Sequence, residues 1–390
     1  MPDQPPKRGF ERAEFENRLD RAQRLMALQG MSALLLTTEA EVRYFSGFQT
    51  LFWQSPTRPW FLIIPATGMP IAVIPEIGAE VMQRTWIEDI RAWRSPDPED
   101  DGISLLHAVL KPYAARGEKI GVLKGSETHL RMPLADFERL VEGLPGLAIA
   151  DATSIIKTLR QIKSAAEIEK IAHICDVASR TFDQATTLFQ IGQPLIETFR
   201  AFKMECLRQG ADDVPYLVGG ADQGGYADVI SPPTARPLQT GDILMLDTGA
   251  VFDGYFCDFD RNFAIGMADD QSRRAYDVLY RATEAGLKAA RPGVTCADLF
   301  KAMQNVISDF DTKADGVGRM GHGLGMQLTE WPSHAAFDQT ILAENMVITL
   351  EPSMSYGADR IMVHEENIVI RDGEPTLLSK RAASELPVLS

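Results

Sequence analysis

Five potential metal ligands constrain the fold of this 390-residue chain more than any other feature. They are four carboxylates and one imidazole, in the order Asp247, Asp258, His322, Glu351 and Glu365. Several of them end or occupy apolar segments, where burial of an unpaired carboxylate would be costly. Because a divalent cation compensates several converging carboxylates at once, we expect the fold to bring the five side chains together. Oxygen ligands with a single nitrogen suit Mn²⁺, Fe²⁺, Co²⁺ or Zn²⁺, and such a centre activates water for attack on carbon.

The segments that contain these residues resemble those of the creatinase/prolidase/methionine aminopeptidase family, which has the pita-bread fold. They are Leu246-Asp247-Thr248-Gly249 through Gly254-Tyr255-Phe256-Cys257-Asp258 to Arg261, then Gly321-His322-Gly323-Leu324-Gly325, Leu350-Glu351-Pro352 and His364-Glu365-Glu366-Asn367. The two aspartates are 258 − 247 = 11 residues apart, which is the family's spacing. The resemblance is strong over residues 155–380. It is weaker before them, where it rests on the segment 42–48.

This resemblance implies an α/β (α+β) fold class with two domains. Residues 1–155 would form a creatinase-like N-terminal domain, and residues 156–390 a pita-bread catalytic domain. The order of elements agrees with this division. The patterns predict helices over 10–30, 164–188, 195–209, 272–291 and 297–310, and strands over 33–36, 60–64, 71–74, 243–247, 255–264, 346–351 and 362–370. Ser164 and Glu167 predict a capping box at the start of the second helix.

The resemblance also implies a role for each of the five residues in a site with two divalent metal ions (Mn, Co, Fe or Zn). Asp258 and Glu365 would bridge the two metals, and Asp247 would complete one of the two coordination sites. His322 and Glu351 would complete the other. Glu351 would also handle the proton of the attacking water, so Glu351 and His322 are the expected catalytic residues.

Three positions depart from the family pattern. Peptidases of this group have a histidine seven residues after the metal histidine, where this chain has Thr329, and another upstream of the first aspartate, where residues 215–242 contain none. Such histidines would hold the scissile carbonyl and the leaving nitrogen, so their loss argues against a peptidase. Asp260 stands where the family usually has Thr or Ser. It is expected to be a partner for Arg261, an additional ligand or a substrate contact.

Other polar and aromatic residues are candidates to contact substrate in place of those histidines. Tyr226 and Asp228 lie near the expected position of the upstream histidine, and Thr329 stands at that of the downstream one. In the first domain, Trp53 and Arg58 belong to an aromatic loop, residues 52–60, whose corresponding region in creatinase-like members reaches the partner subunit's site. We therefore predict a homodimer; the alternative is that this loop only packs within its own domain.

Charge and hydropathy exclude some classes of function. With 39 basic and 54 acidic residues, the net charge of −15 opposes binding to nucleic acid or to an anionic membrane surface. No apolar run reaches the roughly 18 residues of a membrane span, and the first residues contain no apolar signal core. A cytoplasmic location is expected. The four cysteines include no CxxC pair, as expected for reduced thiols.

Three functions remain open at this point. The absent histidines favour a metal-dependent hydrolase of a C–N bond in a small molecule, such as an ectoine- or creatine-like compound. The alternative is an Xaa-Pro dipeptidase or aminopeptidase, which is what overall similarity would suggest. A catalytically dead peptide-binding module is the third, but the five intact ligands argue against it.

Overall fold

The computed structural model of the protein describes residues 4–55, 58–310, 318–357 and 359–390. The chain forms two compact units, Lys7–Arg160 and a unit that contains Gln161–Ser390. The predicted boundary after residue 155 lies within the helix Thr153–Gln161, just before this division. Both units combine helices with sheets, so the predicted α/β fold class is confirmed.

The first unit is built around one mixed sheet of six strands in the order β4-β3-β2-β1-β5-β6. Its strands are β1 (Ala33–Leu36), β2 (Phe61–Pro65), β3 (Ile71–Pro75), β4 (Asp89–Trp93), β5 (Lys119–Val122) and β6 (Ala148–Asp151). Its helices are α1 (Arg12–Gln29), α2 (Glu39–Ser46), α3 (Ala79–Met82), α4 (Ile103–Ala115), α5 (Leu134–Glu142) and α6 (Thr153–Gln161), with 3₁₀ turns at Leu51–Gln54 and Glu76–Gly78. The central strand β1 is buried at every position, as its uninterrupted apolar run predicts.

The second unit contains two larger sheets and a two-stranded ribbon. Its helices are α7 (Ala165–Phe182), α8 (Ala185–Leu188), α9 (Leu195–Gln209), α10 (Asp270–Ala289) and α11 (Cys296–Ser308). Its strands are β7 (Asp213–Gln223), β8 (Asp242–Phe252), β9 (Tyr255–Phe256), β10 (Phe259–Ile265), β11 (His322–Gly323), β12 (Glu330–Ser333), β13 (Val347–Leu350), β14 (Ser353–Tyr356), β15 (Arg360–Val363), β16 (Glu366–Val369), β17 (Thr376–Leu377) and β18 (Val388–Leu389).

The strands of the second unit pair in two sheets and one ribbon, and this pairing places its segments side by side. One sheet has the order β18-β10-β8-β7, with β9 beside β8, and the other has the order β12-β11-β13-β16-β17. Strands β14 and β15 form the ribbon. Helix α7 begins with the predicted capping box, in which Ser164 Oγ accepts from the Glu167 N–H and Glu167 Oε2 accepts from the Ser164 N–H at 2.9 Å. Helix α9 has the predicted bounds and ends at Gly210, whose φ is 117°.

The connection between β8 and β9 corrects one prediction from the sequence. Asp253 and Gly254 both have positive φ, 45° and 71°, and they join paired residues Phe252 and Tyr255. This is the conformation of a type I′ hairpin turn, which an Asp-Gly pair favours. The predicted strand end at Asp247 is therefore wrong: β8 continues to Phe252 because the residues after Asp247 still pair with β7 and β9. Asp247 lies in the middle of the strand.

Two predicted strands are each interrupted at a potential ligand. The chain predicted as one strand over 255–264 forms β9 and β10, with Cys257 and Asp258 between them. The chain predicted over 362–370 forms part of β15 and then β16, with His364 and Glu365 between them. Among the described residues, no helix is long and apolar enough to cross a membrane.

Candidate metal centre

Three aspartates share one face of the first sheet of the second unit. Asp247 on β8 is the direct cross-strand partner of Asp260 on β10. Side chains of directly opposed residues lie on the same face of an antiparallel pair. Asp258 directly precedes β10, two residues before Asp260. Besides burial, the charges of Asp247 and Asp260 raise its pKa, so its side chain lies close to theirs.

The other sheet contributes the remaining three candidate ligands from strand ends. His322 begins β11, Glu351 directly follows β13, and Glu365 directly precedes β16. Leu350 pairs with Glu366, so Glu351 and Glu365 both lie at the end of the β13–β16 ladder. Gly321, with φ 121°, permits the approach of β11 to β13, because a Cβ there would collide with the carbonyl of Thr349.

The candidate coordinating atoms of Asp258, His322 and Glu365 lie within 4.8 Å of one another. His322 Nε2 is 3.4 Å from Asp258 Oδ2 and 3.9 Å from Glu351 Oε2. On the other side of the ring, Nδ1 is 2.9 Å from the carbonyl oxygen of Gly323. A hydrogen on Nδ1 donates to that carbonyl and leaves the Nε2 lone pair directed at the carboxylates, as a metal-binding histidine requires.

The protonation behaviour of the cluster reflects crowded, buried acids. Removal from water raises the pKa of Asp247 and of Glu351 to about 7, and for Asp247 the charge of Glu351 adds to the effect. Burial, reinforced by the neighbouring carboxylates, also raises the pKa of Asp258 and Glu365 well above the usual range. Burial lowers the pKa of His322 to about 4, so its imidazole is neutral near pH 7, which is the form that binds metal.

The donor set fits divalent cations. Among the described residues, three carboxylate oxygens of this cluster are buried without a hydrogen-bond partner: Asp247 Oδ1, Asp260 Oδ1 and Glu365 Oε1. Buried polar atoms are nearly always paired in folded proteins, so three unpaired acidic oxygens in one cluster require an explanation. A cation bound among them satisfies these oxygens and offsets the repulsion between the acids.

The residues after Glu365 hold the interrupted strands in position. The side-chain amide of Asn367 accepts a hydrogen bond from the Asp258 N–H at 2.9 Å and donates to the Asp258 carbonyl. The carboxylate of Glu366 is buried and bonds to Arg261 at 3.0 Å and to Arg381 at 3.1 Å. Asn367 therefore replaces strand pairing at the interruption beside Asp258.

The predicted pairing between the side chains of Asp260 and Arg261 is absent from the ion pairs of the described chain. The Arg261 guanidinium instead donates to the backbone carbonyls of Asp260 and Glu365, at 2.6 and 2.9 Å, and to the Glu366 carboxylate. Consecutive residues of a strand point to opposite faces, which separates the Asp260 side chain from this cation. Asp260 remains on the face of the other carboxylates.

The three other predicted substrate contacts of this unit lie in different settings. The Tyr226 hydroxyl is buried and donates to Asn262 Oδ1 at 2.9 Å. The hydroxyl that was expected to contact substrate is therefore bound in the interior. Asp228 is exposed and accepts from the Ile230 N–H at 2.8 Å in a local turn. Thr329 is exposed too, next to buried Glu330. Substrate contacts by Asp228 and Thr329 stay predictions.

In the first unit, Trp53 and Arg58 contact other residues of their own loop. Trp53 is 8% exposed, and its ring lies 5.8 Å from the Trp60 ring. The Arg58 guanidinium lies 5.1 Å from the Phe52 ring. Two further residues of this loop, 56 and 57, lie outside the described residues. These contacts favour the packing alternative, and a contact with a partner's substrate stays a prediction.

Two polar residues near the cluster were not predicted from the sequence. Tyr216 pairs with Gly249, which places it diagonally across from Asp247, and burial followed by the Asp247 charge raises its pKa. Arg319 precedes Met320, whose carbonyl accepts from the Glu351 N–H at 3.1 Å. Burial raises the pKa of Asp258 and of Glu351, and the positive charge of Arg319 opposes this rise. For Arg319, the only signal in the sequence was its position three residues before His322. The place of Tyr216 near Asp247 depends on the register of β7 and β8, which the sequence does not show.

The fold and this ligand set define a metal-dependent hydrolase related to prolidases. Residues 169–372 match the model of metallopeptidase family M24, and residues 18–162 match that of the Creatinase/Prolidase N-terminal domain. The chain belongs to metallopeptidase family M24. The predicted family is thus confirmed, and the family implies use of a divalent metal.

Similar proteins include several dipeptidases. The chain is 27% identical over 368 residues to the probable dipeptidase PepE of Mycobacterium tuberculosis, with 93% of each protein covered. It is 28% identical over 241 residues to the Xaa-Pro dipeptidase of Pyrococcus furiosus, a match that spans 58% of this chain and 65% of that protein. The crystal structure of dipeptidase PepE from Mycobacterium ulcerans superimposes with a TM-score of 0.84 at 25% identity, covering 98% of this chain and 99% of that one.

These similarities bear on the functions that the sequence left open. They favour the dipeptidase alternative over the ectoine- or creatine-like hydrolase, which the absent histidines had favoured. Both of these functions are carried out by a metal-dependent hydrolase.

Proposed function

We propose that the protein is a metal-dependent dipeptidase whose substrates include dipeptides with proline in the second position. The observation that carries the proposal is the cluster of five ligand-type residues, with its unpaired buried oxygens, in a chain similar over 93% of its length to a probable dipeptidase. The names of the relatives support the substrate class.

Asp247, Asp258, His322, Glu351 and Glu365 would hold two cations chosen from Mn²⁺, Co²⁺, Fe²⁺ and Zn²⁺. When bound, these ions supply an activated water and polarise the scissile carbonyl. Neutral His322 contributes Nε2 because its Nδ1 hydrogen is committed to Gly323.

Glu351 is the residue best placed to move protons. Its side chain is 30% exposed, whereas those of Asp258 and His322 are 5% and 4% exposed, so water and substrate reach Glu351 more easily than those two residues. In the metal-free protein burial raises the pKa of Glu351. In the loaded enzyme its carboxylate would accept a proton from the attacking water and donate it to the leaving nitrogen.

Arg319 would bind the carboxylate of the dipeptide. A half-buried guanidinium whose charge reaches the ligands is well suited to a small anionic substrate, since Arg binds carboxylates in a bidentate manner. Such a contact would also explain a preference for dipeptides over longer peptides, because the free carboxylate of a dipeptide lies close to its scissile bond.

One observation favours a second candidate function, the hydrolysis of a compact C–N compound. Thr329 and the histidine-free residues 215–242 lack the donors expected for a peptide carbonyl and leaving nitrogen. Loss of one oxyanion donor costs about 10²–10³ in turnover in other hydrolases. Efficient peptide cleavage therefore requires other donors, for which Tyr216 and Arg319 are the nearest candidates.

A homodimer is part of the proposal. Its support is the resemblance to creatinase-like proteins and the exposure of Leu51, 82%, at the start of the aromatic loop. Light scattering at micromolar concentration tests it, and a monomer would remove Trp53 and Arg58 from the candidate site of a partner.

The function is tested by elemental analysis of the purified protein, followed by steady-state assays with Mn²⁺, Co²⁺ or Zn²⁺ on Ala-Pro, creatine and ectoine. A kcat/KM on Ala-Pro at or above about 10⁴ M⁻¹s⁻¹, the low end for ordinary enzymes, supports the dipeptidase. Turnover of creatine or ectoine without Ala-Pro cleavage supports the second candidate. Asp222→Asn changes an exposed carboxylate on β7 and is the matched control for any loss of activity in variants of the metal site.

A further inference from the structure

Asp260 is a carboxylate in the cluster that the five-residue ligand set does not use. It is 1% exposed and lies directly across from Asp247 in the β8–β10 pair. Its Oδ2 atom accepts a hydrogen bond from Asn262 Nδ2 at 2.6 Å. Its Oδ1 atom is buried and has no hydrogen-bond partner among the described residues.

The orientation of Asp260 is fixed by a chain of hydrogen bonds behind it. Asn262 Nδ2 also donates to the Val363 carbonyl at 2.7 Å, and Asn262 Oδ1 accepts from the Tyr226 hydroxyl at 2.9 Å. That hydroxyl accepts in turn from the Val363 N–H at 3.1 Å. Because a phenol has only one hydrogen to donate, these bonds determine which end of the Asn262 amide faces Asp260. The pair Tyr226–Asn262 is thus a buried support for Asp260.

No cation of the chain neutralises this carboxylate directly in the described part of the structure. The guanidinium of neighbouring Arg261 binds the Asp260 backbone carbonyl and the Glu366 carboxylate. A buried charged group without a partner is costly, and the acids around Asp260 increase that cost. A polar side chain that is supported on one oxygen and unpaired on the other has the arrangement of a metal ligand with its outer partner in place.

We propose that Asp260 is a sixth ligand of the metal centre, through Oδ1, and that Tyr226 and Asn262 position it. Cβ atoms of directly opposed residues in an antiparallel pair are about 4.5–5.5 Å apart, which allows Asp247 and Asp260 to bind the same ion. The inference rests on the metal centre of the proposed function, but not on its substrate.

A sixth donor changes the metal preference that the site should have. Five carboxylates and one imidazole form a harder, more anionic set than four carboxylates and one imidazole. Carboxylate oxygens favour Mn²⁺, whereas nitrogen and sulfur ligands favour softer ions. Removal of the Asp260 carboxylate should therefore weaken Mn²⁺ binding more than Zn²⁺ binding.

The test measures Mn²⁺ binding to the full-length metal-free protein, by calorimetry and by the electron paramagnetic resonance signal of free Mn²⁺. The variants are Asp260→Thr, Tyr226→Phe and the exposed control Asp222→Asn. Loss of a direct outer partner of a ligand weakens metal binding about 10–100-fold. Tyr226 acts one bond further back, through Asn262, so Tyr226→Phe should weaken Mn²⁺ binding by at most about 10-fold. Asp260→Thr should raise the Kd of one Mn²⁺ by more than about 100-fold, and Asp222→Asn should leave it unchanged.

Two results would overturn the proposal. One is an Asp260→Thr protein that retains the thermal transition of the wild type and binds both Mn²⁺ ions within threefold of its affinity. The other needs no variant to fold: a crystal structure of the Mn²⁺-loaded wild type in which Oδ1 of Asp260 lies beyond about 3 Å from both ions, since such bonds are about 2.0–2.2 Å long.

Hydrolysis does not enter this test, so the two proposals can fail separately. A wild-type protein that binds two Mn²⁺ ions but leaves Ala-Pro intact would refute the dipeptidase and leave the Asp260 result standing. A wild-type protein that binds no Mn²⁺ would refute the Asp260 proposal, and one that binds none of Mn²⁺, Co²⁺, Fe²⁺ and Zn²⁺ would refute both.

Discussion

Removal of the metal should make the stability of this protein depend on the protonation of Asp247. In the metal-free protein, burial and the charge of Glu351 raise the pKa of Asp247 from 3.8 to about 7. The unfolded chain has no such environment, and its aspartates titrate near pH 3.9. Between these two values, the folded protein keeps a proton that the unfolded chain releases.

The sign follows from this difference in bound protons. A group whose pKa is higher in the folded state stabilises the metal-free protein at low pH relative to high pH, so its contribution is lost as pH rises from about 4 to about 7. From pH 5 to pH 8 the loss spans about two pKa units, from 5 to the folded value of about 7. At about 1.4 kcal/mol for each unit, Asp247 alone should reduce the free energy of unfolding by about 3 kcal/mol.

Buried histidines act in the opposite direction, so the measurement needs a matched variant. Burial lowers the pKa of His322 to about 4 and that of His334 and His364 to about 3. Each histidine therefore stabilises the folded protein as pH rises from its folded pKa to about 6.5. These contributions cancel when the wild type is compared with Asp247→Asn, which has no proton to lose.

The assay is urea unfolding at pH 5 and pH 8 of both proteins after treatment with a chelator. From pH 5 to pH 8, the free energy of unfolding should fall by about 3 kcal/mol more in the wild type than in Asp247→Asn. Saturation of the wild type with Mn²⁺ should abolish this difference, because the metal displaces the proton. If the two metal-free proteins change by the same amount within about 0.5 kcal/mol, Asp247 is ionised in the folded metal-free protein and the reasoning is refuted.

Three further predictions concern single side chains. Asn367→Ala removes two hydrogen bonds to the Asp258 backbone, so urea unfolding should show a loss of about 1–3 kcal/mol that exposed Asn305→Ala does not show. Glu351→Gln removes the proposed proton carrier, so kcat on the best substrate should fall by at least about 10²-fold; a smaller fall at saturating Mn²⁺ would assign the proton transfer elsewhere. Arg319→Met should raise KM for Ala-Pro but not for its C-terminal amide, and equal effects on both would show that Arg319 does not bind the carboxylate.

The sequence was sufficient for the fold and for the ligand segments because their signals are local. Ser164 and Glu167 form their capping box within one turn of helix, and Gly210 ends α9 through a conformation that glycine adopts easily. The order of the ligand segments likewise needed no knowledge of contacts. The interruptions of the strands at Asp258 and Glu365 were missed, because the apolar pattern continues through them.

Contacts that depend on pairing between distant strands could not be derived in this way. Tyr216 comes close to Asp247 only because it pairs with Gly249, and one shift in register would turn it to the opposite face. Tyr226 was expected to contact substrate from its place in the chain. Its hydroxyl lies in the interior instead, because Asn262 and Val363 bind it from strands that the sequence does not show to be neighbours.

The structure also limits which groups could take the place of the two family histidines. Thr329 is exposed, but Glu330 beside it is buried and pairs with Lys163 at 3.2 Å, so the backbone at this position is held in place. The side chain of Thr329 is shorter than the histidine that the family has at this position. In the proposed function the donors to the substrate must therefore come from other elements, and the candidates are Tyr216 on β7 and Arg319 in the segment before β11. If Arg319 binds the carboxylate of the dipeptide as proposed, selectivity for small substrates with a free carboxylate would follow from its charge.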